Sequence, residues 1–481
     1  MLMSIFMPFI FISCDTSSQD TAQELSTELS TVVIEEKLEE NIFSSAKECG
    51  ACHPSQYTEW RESMHAYAIH SPVFQAMAQK AFRDSSGEVG DFCTSCHSPM
   101  GALIGEGPNI SPEQRSDIGN DSVTCETCHS SVGHHYPTGN LSLIWNTEGI
   151  LTGPFNDVEQ DSHVSEQSDF LTSPELCGSC HDVFNYPAIR IEEAFSEYTQ
   201  SPAYLENTTC QDCHMSQTPG VPSEKPLSPI AEISGMPPYP ARPISSHRFV
   251  GPDYSLLDHF PYPDDLEKSA RVQAEQFERT EELLRNSIMI SDISVISNST
   301  PNSNTTSEEG TEHHFSVTLQ SLTAGHNVPT GFTSERQLWI EVSVYSENTL
   351  LFSSGMLDSN EDLRDEHSWD VISGIQTQDE QLVNLQSKNI MRYNGEIEHS
   401  KTKDTLFPFD ADYIYKRSIP PLESRTFQYY FLASASPTRI EAKLRYRNLP
   451  PYILRALQLH ELTPKLKIVD IDTMDILWDS L

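Results

Sequence analysis

The sequence predicts an α+β protein in two parts: a mostly helical and loop-built first half, then an antiparallel β-sandwich-like second half. Three observations predict it. The pattern C-x-x-C-H occurs five times between Cys49 and His214. A proline-dense stretch, PGVPSEKPLSPIAEISGMPPYPARP, follows the last copy. Beyond it and one helix-period segment, the apolar period shortens to two, the repeat of half-buried strands. The 481 residues leave room for two to four domains. We divide them into a leader (1–14), a flexible acidic tether (15–45), a motif-bearing domain (46–275) and an all-β domain (276–481).

The leader, MLMSIFMPFIFIS, is apolar and runs straight into Cys14. It resembles a bacterial lipoprotein signal, cut before a cysteine that then carries lipid. It departs from that pattern in lacking Lys or Arg at its start and in placing Phe11 where Leu is usual. The alternative is a cleaved secretory signal with an incidental cysteine. Both readings predict export, to the periplasm or the cell surface. The tether has no aromatic residue until Phe43 and is rich in Ser, Thr, Gln and Glu, with VVIEEKLEENI as a weak helix.

The five motifs are Cys49/Cys52/His53, Cys93/Cys96/His97, Cys125/Cys128/His129, Cys177/Cys180/His181 and Cys210/Cys213/His214, and they use ten of the eleven cysteines. A redox dithiol leaves the histidine unexplained. Tetrahedral zinc gains nothing from a histidine fixed after every second cysteine, and four-thiolate sites need pairs of pairs, whereas five is odd. A c-type haem needs all three residues: two thioethers at the porphyrin edge and an adjoining imidazole for the iron. Five covalent haem c groups are the expected cofactor. At about 33 residues per motif there is too little chain for a conventional core around each, so the porphyrins must supply much of the buried apolar surface.

Within this half, PSQYTEWRESMHAYAIHSPVFQAMAQKAFR reads as helix, as does the run ahead of the fourth motif, and little sheet is expected. The proline-rich stretch should cross the surface as extended cover. LEKSARVQAEQFERTEELLRNS has the spacing of one amphipathic helix. IMISDISVIS, HHFSVTLQSL, QLWIEVSVYS, TLLFSSGML, RTFQYYFLAS and RIEAKLRYRN then alternate or carry β-branched and aromatic residues, as strands do. SNSTPNSNTTSEEGTE reads as a long polar hairpin loop.

The composition is 37% hydrophobic with a mean hydropathy of −0.43, and no apolar run after residue 13 is long enough to span a bilayer. A net charge of −40, from 30 basic against 70 acidic residues, repels nucleic acid and anionic membrane and steers basic partners toward the chain. A solvated acidic surface suited to a salty habitat explains the same count. Membrane contact is expected only through the lipid at Cys14.

Each motif fills one axial position on iron, and the other decides whether the haem moves electrons or does chemistry. Thirteen histidines lie outside the motifs. The candidates for the second position are His65, expected to reach a neighbouring haem rather than its own, one of His134 and His135, His163, His247 and His326, with His70 and Met100 as weaker ones. His259, His313, His314, His367, His399 and His460 read as exposed polar residues.

CHPSQYTEWRESMHAYA, CETCHSSVGHH, TSPELCGSCHD and CQDCHM resemble the multihaem cytochromes c related to the tetrahaem electron acceptor of hydroxylamine oxidoreductase. AGHNVPTGFTSERQLWIEVSV and RYRNLPPYILRAL are similar to the β-rich C-terminal part attached to such cytochromes. The resemblance covers most of residues 46–481. It implies bis-histidine haems stacked closely enough to pass electrons, with the distal roles on His65, one of His134 and His135, His247 and His326.

The function expected is an electron relay between a redox protein or quinol-linked donor and an acceptor. The alternative is a multihaem oxidoreductase acting on a small nitrogen or sulfur compound at one open haem, for which the second motif is the candidate. The lysine-ligated C-x-x-C-K haem of the pentahaem nitrite reductases is absent. A third class, a structural or adhesive β module, would leave His326 without a role at iron.

Overall fold

Every motif lies in or beside a short helix, because one helical turn puts the two cysteines of C-x-x-C on one face and the histidine beside the first. A computed structural model describes residues 37–38, 41–158, 162–185, 189–237, 239–296, 310–392 and 402–478. The leader, Cys14, most of the tether, the polar hairpin loop and His399 lie outside the described residues. No described helix is long and apolar enough to cross a membrane.

The first half is α+β in small pieces. The single helix expected over residues 54–83 is instead three: Pro54–Arg61, Met64–Tyr67 and Pro72–Asp84. Ser71 precedes Pro72, a residue that disfavours a helical predecessor, and its hydroxyl accepts from the amide of Phe74 at 3.3 Å, so a new helix starts there. Little sheet is present, as expected, and it is confined to four short two-stranded pairs. Ser131–His134 pairs with Leu143–Trp145, Leu151–Gly153 with Ser165–Gln167, Val183–Phe184 with Arg190–Glu192, and Leu227–Pro229 with Ala241–Pro243. Strands this short carry no detectable alternation. The proline-rich cover contains the last pair and is tied to the motifs through its backbone: Glu232 N–H donates to Cys52 O at 2.7 Å and Val250 N–H to His214 O at 3.2 Å.

The long helix Leu266–Arg285 starts where the Asp265 carboxylate caps the Lys268 amide at 2.9 Å. It runs through residue 275, so the boundary expected there falls inside a helix. Its buried Leu284 joins the core of the second half.

That core is a sandwich. Its strands are β1 Ile288–Ile296, β2 Thr311–Ser321, β3 Gln337–Ser346, β4 Thr349–Ser354, β5 Ser424–Ala433, β6 Arg439–Arg447 and β7 Val469–Leu477. One antiparallel sheet has the order β5-β2-β1 and the other β4-β3-β6-β7. Phe315, Val317 and Leu319 of β2 face Ile340, Val342 and Val344 of β3 across a continuous apolar interior. Two features were not expected from the sequence: β7, and a three-stranded sheet of Lys388–Arg392 between Thr402–Thr405 and Tyr413–Tyr415. The turn Pro408–Asp410 of this sheet reaches back to the first half, where Asn185 Nδ2 donates to Pro408 O and Ala411 O, each at 3.0 Å.

Candidate functional site

All ten motif cysteines and all five motif histidines line one continuous cavity of 2040 Å³, well beyond the roughly 300–1,000 Å³ of a single small-molecule pocket. Residues from the proline-rich cover and from the β-half close it, including Phe249, Leu338, Phe409 and Leu449.

Backbone geometry sets the motif residues. His53 N–H and His181 N–H donate to the carbonyls of Cys49 and Cys177, both at 2.9 Å, so each histidine stands one helical turn from its first cysteine. Ser45 caps the turn carrying Cys49, and Thr209 with Asp212 forms a capping box on Cys210–His214.

None of the ten thiols is in a disulfide. Thiols of different motifs meet: Cys49 contacts Cys125, Cys96 contacts Cys180, and Cys177 contacts Cys210. Burial pushes Cys128 and Cys213 up to about 11 and Cys93 to about 12. Only Cys49 and Cys210, which accept a hydrogen bond from a thiol of another motif, are pulled down. Protonated, apolar-buried thiols lack the thiolate character of an activated dithiol. Among the described residues the group of three ligand atoms lying within 4.8 Å of one another is Glu366, His367 and Asp404, outside the motifs and bridged by the Lys388 ammonium.

Four motif imidazoles stand opposite a second imidazole. Ring centres are 6.3 Å apart for His53 and His163, 6.4 Å for His181 and His65, 6.4 Å for His129 and His247, and 6.1 Å for His214 and His326. His65 thus faces a motif far from its own helix. The fifth, His97, has no imidazole in ring contact among the described residues; Phe74 stacks on its face at 3.8 Å and 11°.

The Nδ1 atoms are committed elsewhere. His53, His97, His129 and His214 give Nδ1–H to the carbonyls of Ile230, Ala68, Thr152 and Val250 at 2.6, 3.2, 2.7 and 2.9 Å. His247 and His326 do the same with Ser245 and Asn327 at 3.1 and 2.9 Å. That arrangement leaves Nε2 as the lone-pair nitrogen. Burial lowers His65 to about 3 and His97, His247 and His326 to about 4, so they are neutral at pH 7.

Two carboxylates that no motif singles out aim the loops that carry partner imidazoles. Glu59 accepts from the His247 amide at 2.8 Å. Glu197 accepts from Thr330 Oγ1 at 2.6 Å and from Asn327 through its Nδ2 at 2.7 Å and its amide at 3.2 Å. Phe74 was likewise not anticipated.

Other candidates stand elsewhere. One of His134 and His135 was expected opposite a motif imidazole; instead the strand Ser131–His134 turns both away, where His134 stacks on Phe170 at 5.8 Å and His135 is exposed. His163 takes the place facing His53. His70 spends Nε2 on Asn120 O at 2.8 Å. Met100 is buried in a separate apolar cluster with Phe43, Leu103 and Ile118. His259 and His460 are exposed, whereas His313, His314 and His367 are half-buried against Phe431, Tyr430 and Tyr452.

Residues 48–130, which hold the first three motifs, match the family model described as Cytochrome c554 and c-prime. The structure is similar to that of a penta-heme cytochrome c552 from Thermochromatium tepidum, with a TM-score of 0.57 and 16% identity over 91% of this chain and 100% of that chain. No curated protein sequence matches the chain. The match over residues 48–130 supports a c-type cytochrome that holds haem covalently and transfers electrons, and over 91% of its length the chain shares the fold of the penta-heme cytochrome c552.

Proposed function

We propose that this chain holds five haem c groups covalently and relays electrons along them, as an exported protein anchored by lipid at Cys14. The spacing of the imidazole pairs carries the reading. Metal–nitrogen bonds of about 2.0–2.1 Å on both sides of one metal place imidazole centres about 6–6.5 Å apart, and all four pairs have that separation. In this reading His163, His65, His247 and His326 are the distal ligands of the haems held by His53, His181, His129 and His214. Haem c supplies a one-electron iron couple.

The chain's own residues do the rest. Main-chain carbonyls fix six imidazoles in the tautomer that presents Nε2. Glu59 and Glu197 hold two distal loops in place, which limits rearrangement when charge arrives. The thiol contacts put the first site beside the third, the second beside the fourth, and the fourth beside the fifth. An acidic exterior favours a basic redox protein as donor or acceptor.

One observation favours a second activity at one site. His97 is packed by Phe74 and faces no imidazole among the described residues, so its haem would have a free position for a small ligand, such as a nitrogen or sulfur compound. Mass spectrometry of the mature protein tests the main reading. Five porphyrin adducts are expected, one at each cysteine pair. Unmodified thiols, bridged thiols or bound zinc would refute it.

A further inference from the structure

One motif imidazole is held differently from the other four. His181 finds no carbonyl for Nδ1 among the described residues. Its Nδ1 faces Oε1 of Glu192 at 3.9 Å, an ion-pair distance, and that side chain is only 5% exposed. The hairpin that pairs Val183–Phe184 with Arg190–Glu192 folds the carboxylate back onto the histidine that precedes it. The second oxygen, Oε2, is buried without a hydrogen-bond partner.

The cations around Glu192 are engaged elsewhere. Arg190 pairs with Asp182 at 2.9 Å, Lys416 with Glu193, and Arg336 with both oxygens of Asp253 at 2.8 and 3.0 Å. Among the described residues, Glu192 has no ion-pair contact except His181. None of these cations pairs with it, and its charge points at an axial ligand.

We propose that Glu192 lowers the potential of the haem held by Cys177, Cys180 and His181, making it the lowest of the four whose iron lies between two imidazoles. The inference deepens the electron-relay reading and rests on it. A nearby negative charge stabilises the oxidised, more positive iron. The position matters because this motif's thiols touch those of two others, Cys96 and Cys210. A low-potential junction is only briefly occupied, so electrons divide between the His97 and His214 branches according to the potentials of those termini.

The test is a reductive titration of the holoprotein, with haem attachment first mapped by mass spectrometry and each ferric signal followed by electron paramagnetic resonance. The signal that His65→Ala converts to high spin identifies the haem in question. In the wild type it should be the last of the four low-spin signals to disappear. In Glu192→Gln its equilibrium should shift about tenfold toward the reduced form, about 59 mV for a one-electron couple. The other signals should move less than about threefold, and Glu192→Asp should remain near the wild type. A wild-type signal that is not last, an unchanged Glu192→Gln signal, or an equal shift of all signals overturns the proposal. Absence of porphyrin at Cys177 and Cys180 would overturn the haem reading itself, and this inference with it.

Discussion

Beyond residue 287 the interior is made of side chains: Phe315, Val317, Leu319, Trp339, Ile340, Val342 and Val344 are all 0% exposed, in two sheets that close on one another. Ahead of residue 263 the interior is a cavity of 2040 Å³ lined by motif residues, and the buried apolar side chains form small clusters at its edge, such as Ala46, Trp60, Ala66, Tyr67 and Phe260. The second half carries its own core. The first has the walls of one and depends on the groups it binds for the remainder.

The largest expected effect breaks this comparison most directly. Protein made without haem attachment should lose amide-exchange protection throughout residues 46–263 and keep slow exchange in β2, β3 and β6. Equal protection in both halves would show that the first half needs no bound group. Conversely, Phe315→Ala should destabilise the sandwich by about 3–5 kcal/mol, read as a lowered denaturant midpoint, and leave the haem spectrum unchanged. Glu197→Ala acts where the halves meet. It removes three hydrogen bonds from the loop carrying His326, worth about 1–3 kcal/mol, and should add one high-spin signal without loss of haem.

The most local effect is one of pH. Burial raises Asp365, in the β-half, from 3.8 to about 7. The native state therefore holds this proton more tightly than the unfolded chain does, and the associated stability is present below about pH 4 and lost as pH rises through about 7. Asp365→Asn should gain on the wild type by on the order of 4 kcal/mol as pH rises across that window, with no further gain above it, measured by urea unfolding at several pH values.

The same contrast explains what was legible in the sequence. The motifs were, because their chemistry sits within one turn of helix. The sandwich strands were, because a two-sided sheet imposes period two. β7, V-D-I-D-T-M-D-I-L, alternates as well, but its repeated Asp residues masked the apolar face. The three-stranded sheet has strands of three to five residues, too short for a period to register.

The partner imidazoles were only partly legible, since each comes from a distant segment placed by tertiary contacts. His134 and His135 looked suitable by nearness to the third motif, yet the pairing of Ser131–His134 with Leu143–Trp145 directs them away. His163 gains its place from the pairing of Leu151–Gly153 with Ser165–Gln167, which holds the loop just before that strand over His53. Glu192 and Glu197 could not be distinguished by sequence from the many other carboxylates of so acidic a chain.

The arrangement of imidazoles is tested most directly by counting spin states in the oxidised holoprotein by electron paramagnetic resonance. Four low-spin ferric haems to one high-spin are expected, with His97 on the high-spin iron. Five low-spin signals, or two or more high-spin ones, would contradict the pairing of motif and partner histidines described above.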